Sequence, residues 1–368
     1  MQIFWSSKVM NSLLRYIWIV AAIYYCGCND PVKKTPGMMQ ASDSVQIAED
    51  TLIISSGIGE LYPLDDHMAL ISCNETGLFL LNYQTGKFQH QFRVPSLNWD
   101  SILRKMALPS YQIPGLKIIE VSADVMIDGF SVNTEDSSIE VICLPRVVYA
   151  DQRDTAVRRE LFCLKYDRQG HFQSYRYISR NGVGKKYFPG FNYAFKHIKD
   201  TFYVFNSSLV EDESLYEQEP LLLKFSSKDH LIGFSEVAAK HLYPKDFSFG
   251  YMVKFVSSGG REYLSDGKKL INIYDPEEVH FLFDSFSRMY IEGVYPDGED
   301  QVVAILAEDL GDDRRLNYAV RYDMKERKIL KREQLPFSYN GKFYYKNKIY
   351  VCARKNNEDW YKVYTYLF

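Results

Sequence analysis

The 368-residue sequence holds no HExxH, GxSxG, Walker loop or nucleotide-binding GxGxxG, so no linear signature flags specific chemistry. It also lacks a basic block. Its 44 basic and 47 acidic residues are dispersed and leave a formal net charge of −3; with no cluster to neutralise phosphates, nucleic acid is not an expected partner. Cysteine is scarce at six residues, with no CxxC and no Cys/His ligand spacing. The acidic runs Asp297-Gly298-Glu299-Asp300 and Glu308–Asp313 lack EF-hand spacing. No metal and no cofactor is expected, and the acidic runs read as solvated loops. The apolar run over 16–25 is too short to stay in a membrane as a span, because crossing takes about 20 residues.

That run follows Lys8 and Arg15 and ends at Cys26-Gly27-Cys28, the layout of a signal peptide; Met10 would start a more compact one. Tyr25-Cys26-Gly27-Cys28 resembles the lipobox of bacterial lipoproteins. Gly27 fits the small residue before the acylated cysteine, whereas Tyr25 departs from the usual aliphatic residue. Cys28 is therefore the expected lipidation site, ahead of Cys26, which follows the bulky Tyr25; the alternative is an ordinary cleaved signal. Acyl chains at Cys28 would hold the protein to a membrane. The expected location is the bacterial cell envelope, at the outer membrane. The expected organisation is a lipoprotein signal peptide over 1–27, a flexible tether over 28–48 containing Pro31, Lys33, Lys34, Pro36 and Gly37, and a single domain over 49–368. Cleavage removes Lys8 and Arg15 but no acid, which moves the net charge from −3 to −5.

Aromatics are abundant, 29 Tyr and 23 Phe, and favour strands. A hairpin recurs: an alternating strand ending on an aromatic, a four-residue turn and a second strand. Copies run from Leu78, Leu161, Leu221, Leu270 and Tyr318, with the aromatic at 83, 166, 225, 274 and 322, and Tyr366 offers a sixth. The later spacings of 49, 48 and 44 residues match a four-stranded propeller blade and the earlier ones imply insertions. Two further strand candidates precede each hairpin. The sequence therefore predicts an all-β fold, a six-bladed β-propeller of four-stranded antiparallel blades stacked through their aromatics. The chain ends after a third strand, so an N-terminal strand, Thr51–Ser55, is expected to join the C-terminal blade and close the ring. A seventh blade using Leu116–Val121, or a two-domain β-sandwich, are the alternatives. Cys143 and Cys163 fall on expected neighbouring strands, where buried free thiols or a bridge would fit.

The lipobox-like start, the φ-x-φ-x-Tyr-Asp hairpins and the Ser179-Arg180-Asn181-Gly182-Val183-Gly184 turn together resemble the TolB-like six-bladed β-propeller lipoprotein family of unknown function. The resemblance covers about 50–368. It implies an exported propeller and carries over no catalytic residue.

With strands A to D counted outward from the axis, the A–B and C–D turns share one face and are short. The longer connections, 95–115, 147–159, 179–191, 207–220, 235–250 and 308–314, share the other face, where a binding site is expected. Its candidates are Trp99, Tyr111, Tyr149, Arg158, Arg159, Arg180, Lys185, Tyr187, Tyr243 and Phe249, an aromatic and basic set suited to a protein or glycan partner; the competing reading has such aromatics capping blade cores. Asn98–Leu108 has the apolar spacing of a short amphipathic helix, a plug or lid. The function expected is that of an envelope-anchored, non-catalytic binding or scaffold propeller. A propeller hydrolase or lyase with a polar axial site is the alternative, and a structural assembly subunit a third reading.

Overall fold

The computed structural model describes residues 38–47, 58–73, 77–111, 115–133, 136–150, 155–178, 193–199, 201–206, 221–226, 231–234, 254–265, 267–283, 288–311, 314–336, 341–354 and 361–368. They form six antiparallel sheets, the blades of a β-propeller. The first strand, β1 (Asp43–Gln46), belongs to the last blade. Blade 1 is β2 (Ile58–Pro63), β3 (Met68–Cys73), β4 (Gly77–Asn82) and β5 (Lys87–Phe92). Blade 2 is β6 (Lys117–Val132), β7 (Ile139–Ala150), β9 (Phe162–Tyr166) and β10 (Phe172–Tyr177), with β8 (Thr155–Arg159) added on β7. Blade 3 is β11 (Tyr193–Ile198), β12 (Thr201–Asn206), β13 (Leu221–Ser226) and β14 (Leu231–Phe234), and blade 4 is β15 (Lys254–Ser258), β16 (Arg261–Ser265), β17 (Leu270–Asn272) and β18 (Val279–His280). Blade 5 is β19 (Met289–Pro296), β20 (Gln301–Gly311), β21 (Arg314–Asp323) and β22 (Lys328–Leu335); blade 6 is β23 (Lys342–Tyr345), β24 (Lys348–Ala353), β25 (Lys362–Leu367) and β1.

Sequence pattern follows position in the blade. Val302–Ala307 on β20 is buried at every residue, because a middle strand has a blade against each face, whereas the outer strand β22 reads Lys-Ile-Leu-Lys-Arg-Glu-Gln-Leu and is largely exposed. The first strands lie innermost: β6 touches β11, β11 touches β15, β15 touches β19, β19 touches β23, and β23 returns to β2. Apolar clusters fill every seam. One joins blades 1 and 2, and others join 2 with 3, 3 with 4, and 4 with 5. The largest runs from blade 5 through blade 6 to blade 1. The ring is therefore continuous in its core.

The repeat aromatics Tyr83, Tyr166, Phe225, Tyr322 and Tyr366 are all buried, as stacked blades require. Tyr274 is the exception at 57 % exposure. Strand β17 stops at Asn272, so the bend that follows turns Ile273 inward in its place. The turn Asn and Asp have a local role: Asn82 Oδ1 accepts from Gln84 N and Thr85 N at 3.1 and 3.0 Å, and Asp167 Oδ1 from Gln169 N and His171 N at 2.9 Å each.

Closure by an N-terminal strand holds, but with a different segment. Strand β1 pairs antiparallel with β25, Asp43 opposite Thr365 and Gln46 opposite Lys362, while Thr51–Ser55 lies outside the described residues. The tether expected over 28–48 is thus part of the ring from Met38 onward. Met39 and Ile47 are buried in the largest cluster, and Met39 N donates to Gln334 O of blade 5 at 2.9 Å. Pro36 and Gly37 end the Pro/Gly-containing stretch just before these residues, and the short alternating β1 gave too weak an apolar signal to be read as a strand. Gly86, at φ +69°, lets the blade 1 turn touch this strand: a Cβ there would stand 1.9 Å from Gln46 O.

Leu116–Val121 adds no seventh blade; most of it is the start of the long β6. Two connections expected as loops are strand extensions. Ala150 pairs with Thr155 and Arg146 with Arg159 in the β7–β8 hairpin, and Gly311 pairs with Arg314. The expected helix is α1 (Trp99–Met106), capped by Asn98 Oδ1 on Ser101 N at 3.0 Å. Its Trp99 and Leu103 sit in the seam between blades 1 and 2. Cys73, Cys143, Cys163 and Cys352 are buried free thiols. Cys143 lies opposite Phe162 and Ile142 opposite Cys163, so the two thiols are one residue out of register. They enter different seams and form no bridge.

Candidate functional site

Polar side chains of the first strands are tied across seams. His197 Nδ1 lies 2.9 Å from Glu140 Oε1, linking blades 3 and 2. Lys196 reaches Glu262 Oε2 at 3.0 Å and the Ser257 hydroxyl, linking blades 3 and 4. Lys342 of blade 6 meets Glu292 of blade 5 at 3.4 Å, and Arg315 and Asn317 bind the same carboxylate. Burial pushes the Lys342 ammonium below its ordinary pKa, Glu292 opposing and Arg315 reinforcing the shift.

A cleft of about 670 Å³ opens where the turns of blades 4 and 5 meet. It belongs to the face of A–B and C–D turns, the opposite face from the one expected to bind. Gly259 and Gly260 join β15 to β16 with φ of +58° and +70°, as a two-residue hairpin of this hand demands. A Cβ at Gly259 would lie 2.3 Å from Glu299 O, so only glycine lets the two turns approach this closely.

The cleft is organised by Glu278. Its Oε1 accepts from Arg261 at 2.8 Å, Tyr263 Oη at 3.0 Å and His280 Nε2 at 3.2 Å; its Oε2 accepts from Asn272 Nδ2 at 2.7 Å. Burial alone would raise the Glu278 carboxyl, but hydrogen bonds from Asn272, His280 and Tyr263 and the charge of Arg261 outweigh it and hold the pKa at about 2. His280 is 1 % exposed and set edge-on between Tyr263 and Tyr322, ring centroids 5.7 and 6.0 Å away. Burial lowers its pKa further than Glu278 raises it, so the ring is neutral at pH 7. Because Glu278 is a carboxylate, Nε2 must carry the proton. Nδ1 is then a buried lone pair, and it has no hydrogen-bond partner among the described residues.

Asp275 and Glu277 on the blade 4 turn, Glu299 and Asp300 on the first blade 5 turn, and Lys325 and Arg327 on the second also line the cleft. Asp297, beside Glu299, is instead paired toward blade 6: Arg321 Nε stands 2.7 Å from its Oδ2, and Tyr344 donates to its Oδ1 at 2.6 Å. The acidic run read from sequence as solvated thus divides, one carboxylate tied into a seam and two facing the cleft. No group of three metal-ligating side chains occurs among the described residues.

Of the sequence candidates, Trp99 and Tyr149 prove to be core residues, capping blades as the competing reading had it. Trp99 packs edge-on at 5.1 Å from Phe162. Tyr149 is 2 % exposed and donates to Glu160 Oε1 at 3.0 Å, with Tyr177 on the other carboxylate oxygen at 3.0 Å. Tyr111 lies in the 3-10 turn Leu108–Tyr111, and Arg158 and Arg159 on β8. Arg180, Lys185, Tyr187, Tyr243, Phe249 and Cys28 lie outside the described residues. Sequence reasoning missed Glu278 and His280. The one available signal was a Glu two residues before a His at the entry to a strand, a spacing that puts both on one face of extended backbone.

The architecture is that of a six-bladed β-propeller with a polar cleft in one seam. No family model matches the chain, and no curated protein matches it. Among solved structures, a Bacteroides fragilis protein inferred to be exported superposes with a TM-score of 0.45 at 9 % identity, over 90 % of this chain and 99 % of that one. A tail fiber of Staphylococcus aureus phage P68 reaches a TM-score of 0.32 at 8 % identity, over 68 % of this chain and 52 % of that one.

Proposed function

We propose that this chain is a non-catalytic binding or scaffold propeller of the bacterial cell envelope, acylated at Cys28 at the outer membrane, that engages a protein or glycan partner. The observation supporting a scaffold is the use made of its inner charges. Lys196 with Glu262, His197 with Glu140 and Lys342 with Glu292 cross-link consecutive blades, and a rigid ring suits recognition by its rims. Arg180, Tyr187 and Tyr243, assigned to long connections by the sequence alone, remain candidates, and the seam cleft on the face of A–B and C–D turns is a second one. A hydrolase or lyase is the second reading. It is favoured by one observation, the Glu278-oriented His280 with a free Nδ1, the disposition of a general base.

Two measurements test this reading. Incorporation of labelled palmitate should be lost in Cys28→Ala. The purified chain, incubated with envelope oligosaccharides and peptides, should bind at least one and return it unchanged; conversion of any of them to product would transfer the assignment to the enzyme reading.

A further inference from the structure

We propose that the cleft between blades 4 and 5 binds a primary ammonium or guanidinium group, carried either by a lysine or arginine side chain of a partner or by a free polyamine. The inference rests on the binding reading above and gives that reading a ligand class; it needs neither the lipid anchor nor the long-loop rim.

The cleft holds unused hydrogen-bonding capacity. The Glu278 carboxylate already accepts from Arg261, Tyr263 and His280 on Oε1 and from Asn272 on Oε2, and it belongs to the frame that holds Arg261 and His280 in place. His280 Nδ1 is an acceptor, buried and unfilled among the described residues. His280 lines the cleft, and an unsatisfied buried acceptor is destabilising unless a donor reaches it, so this side of the cleft asks for an N–H or O–H. Around it stand Asp275, Glu277, Glu299 and Asp300, all exposed. Against these four carboxylates are two cations, Lys325 and Arg327, which leaves two net negative charges. A donor that is also a cation meets both demands.

Two other seams show that this surplus is local. The blade 6 turn Lys346-Asn347 has φ of +47° and +60°, the same hand as Gly259-Gly260, and Lys346 bridges to Asp66 on the blade 1 turn at 2.6 Å. Beside the blade 5–6 seam, Asp297 is neutralised within its own blade by Arg321 and accepts from Tyr344 of blade 6. Between blades 4 and 5 the equivalent turn carries two glycines, so no lysine crosses to Glu299 and Asp300. The ligand cation would take the place that Lys346 takes at the blade 6–1 seam.

Calorimetric titration of the mature chain with spermidine and with the capped peptide acetyl-Gly-Lys-Gly-Lys-Gly-amide tests this, with neutral chitotetraose as a third ligand. At least one cation should bind, weakening with salt. Glu299→Gln with Asp300→Asn should weaken it about tenfold, and His280→Phe, which keeps the ring packing, by a few-fold. Asp43→Asn with Glu120→Gln, removing two exposed carboxylates elsewhere, should leave affinity within about twofold. Equal losses in both double variants would reduce the effect to general electrostatics and overturn the proposal, as would wild-type affinity in the cleft variants. Binding of spermidine alone identifies a free amine as the ligand; peptide binding at comparable strength identifies a protein side chain. If neither cation binds but chitotetraose does, this inference falls and the binding reading stands.

Discussion

The seam between blades 6 and 1 and the seam between blades 4 and 5 are built from the same repeat and end differently. At the first, Phe343 stacks on Tyr350 at 4.7 Å, with Tyr83 against both at 5.4 and 4.7 Å, and the Lys346–Asp66 ion pair covers the turn end. At the second, Val256, Leu270, Leu306 and Val320 pack the interior, while the turn end is left open over Glu278 and His280. A propeller seam is therefore two layers with separate duties. The apolar layer holds blades together, and the turn residues above it decide whether the seam is shut or presents a site.

Removing the segment that shuts the ring should have the largest effect. A chain beginning at residue 48 loses β1 and the buried side chains of Met39 and Ile47, which contribute about 3–6 kcal/mol between them. Chemical denaturation should show a correspondingly lower midpoint, or no cooperative transition at all; an unchanged midpoint would mean that blade 6 is complete without β1. Next comes Phe343→Ala at the closed seam, expected to cost about 3–5 kcal/mol. The same assay reads it.

Acid should separate the seams. Glu278 has a folded pKa of about 2, below its ordinary 4.5, so its contribution is present above pH 4.5 and is lost as pH falls toward 2. After discounting for solvent screening this is about 1–2 kcal/mol. His280 adds in the same direction, since burial holds its pKa below 6.5 and the unfolded chain protonates first. Stability measured from pH 7 to pH 3 should decline more steeply in the wild-type chain than in Glu278→Gln. Equal slopes would remove Glu278 as the acid-sensitive element.

The smallest expected change in stability is the most pointed. Gly260→Lys places a lysine next to Gly259, the turn position that matches Lys346, where a Cβ meets no atom within 4 Å, although the residue sits at φ +70°. That backbone should cost about 1 kcal/mol, seen as a slightly lower melting temperature, and the new ammonium should compete with any cation for Glu299 and Asp300. If cation binding survives unchanged, the two seams are not equivalent in the way proposed.

Much of the ring is legible in the amino-acid sequence, for reasons visible in particular residues. The hairpins beginning at Leu78, Leu161 and Tyr318 open on short, mostly apolar strands buried on both faces and carry Tyr followed by a turn acid, or Asn82 before Tyr83, a pattern fixed by turn chemistry and by burial between blades. The short β1 is less so. Asp43-Ser44-Val45-Gln46 is exposed at three of four positions and is a strand only because β25 offers an unpaired edge. The candidate site is less legible still. Trp99 and Tyr149 have the composition of a binding surface, yet burial by neighbouring blades makes them core. Glu278 and His280 lie in an ordinary stretch of sequence and acquire meaning from Tyr263 and Arg261, about 15 residues earlier, and from Tyr322 on the next blade.

By itself the sequence determined the repeating unit, the number of blades and the need for an N-terminal strand, because strand composition and turn chemistry act over short range and a blade short of one strand calls for another. Tertiary structure alone decided which segment closes the ring, which aromatics are core and which acids stand without a counter-charge. Those outcomes depend on which side chain a neighbouring blade brings across the seam, and that pairing is set by the geometry of the ring rather than by distance along the chain.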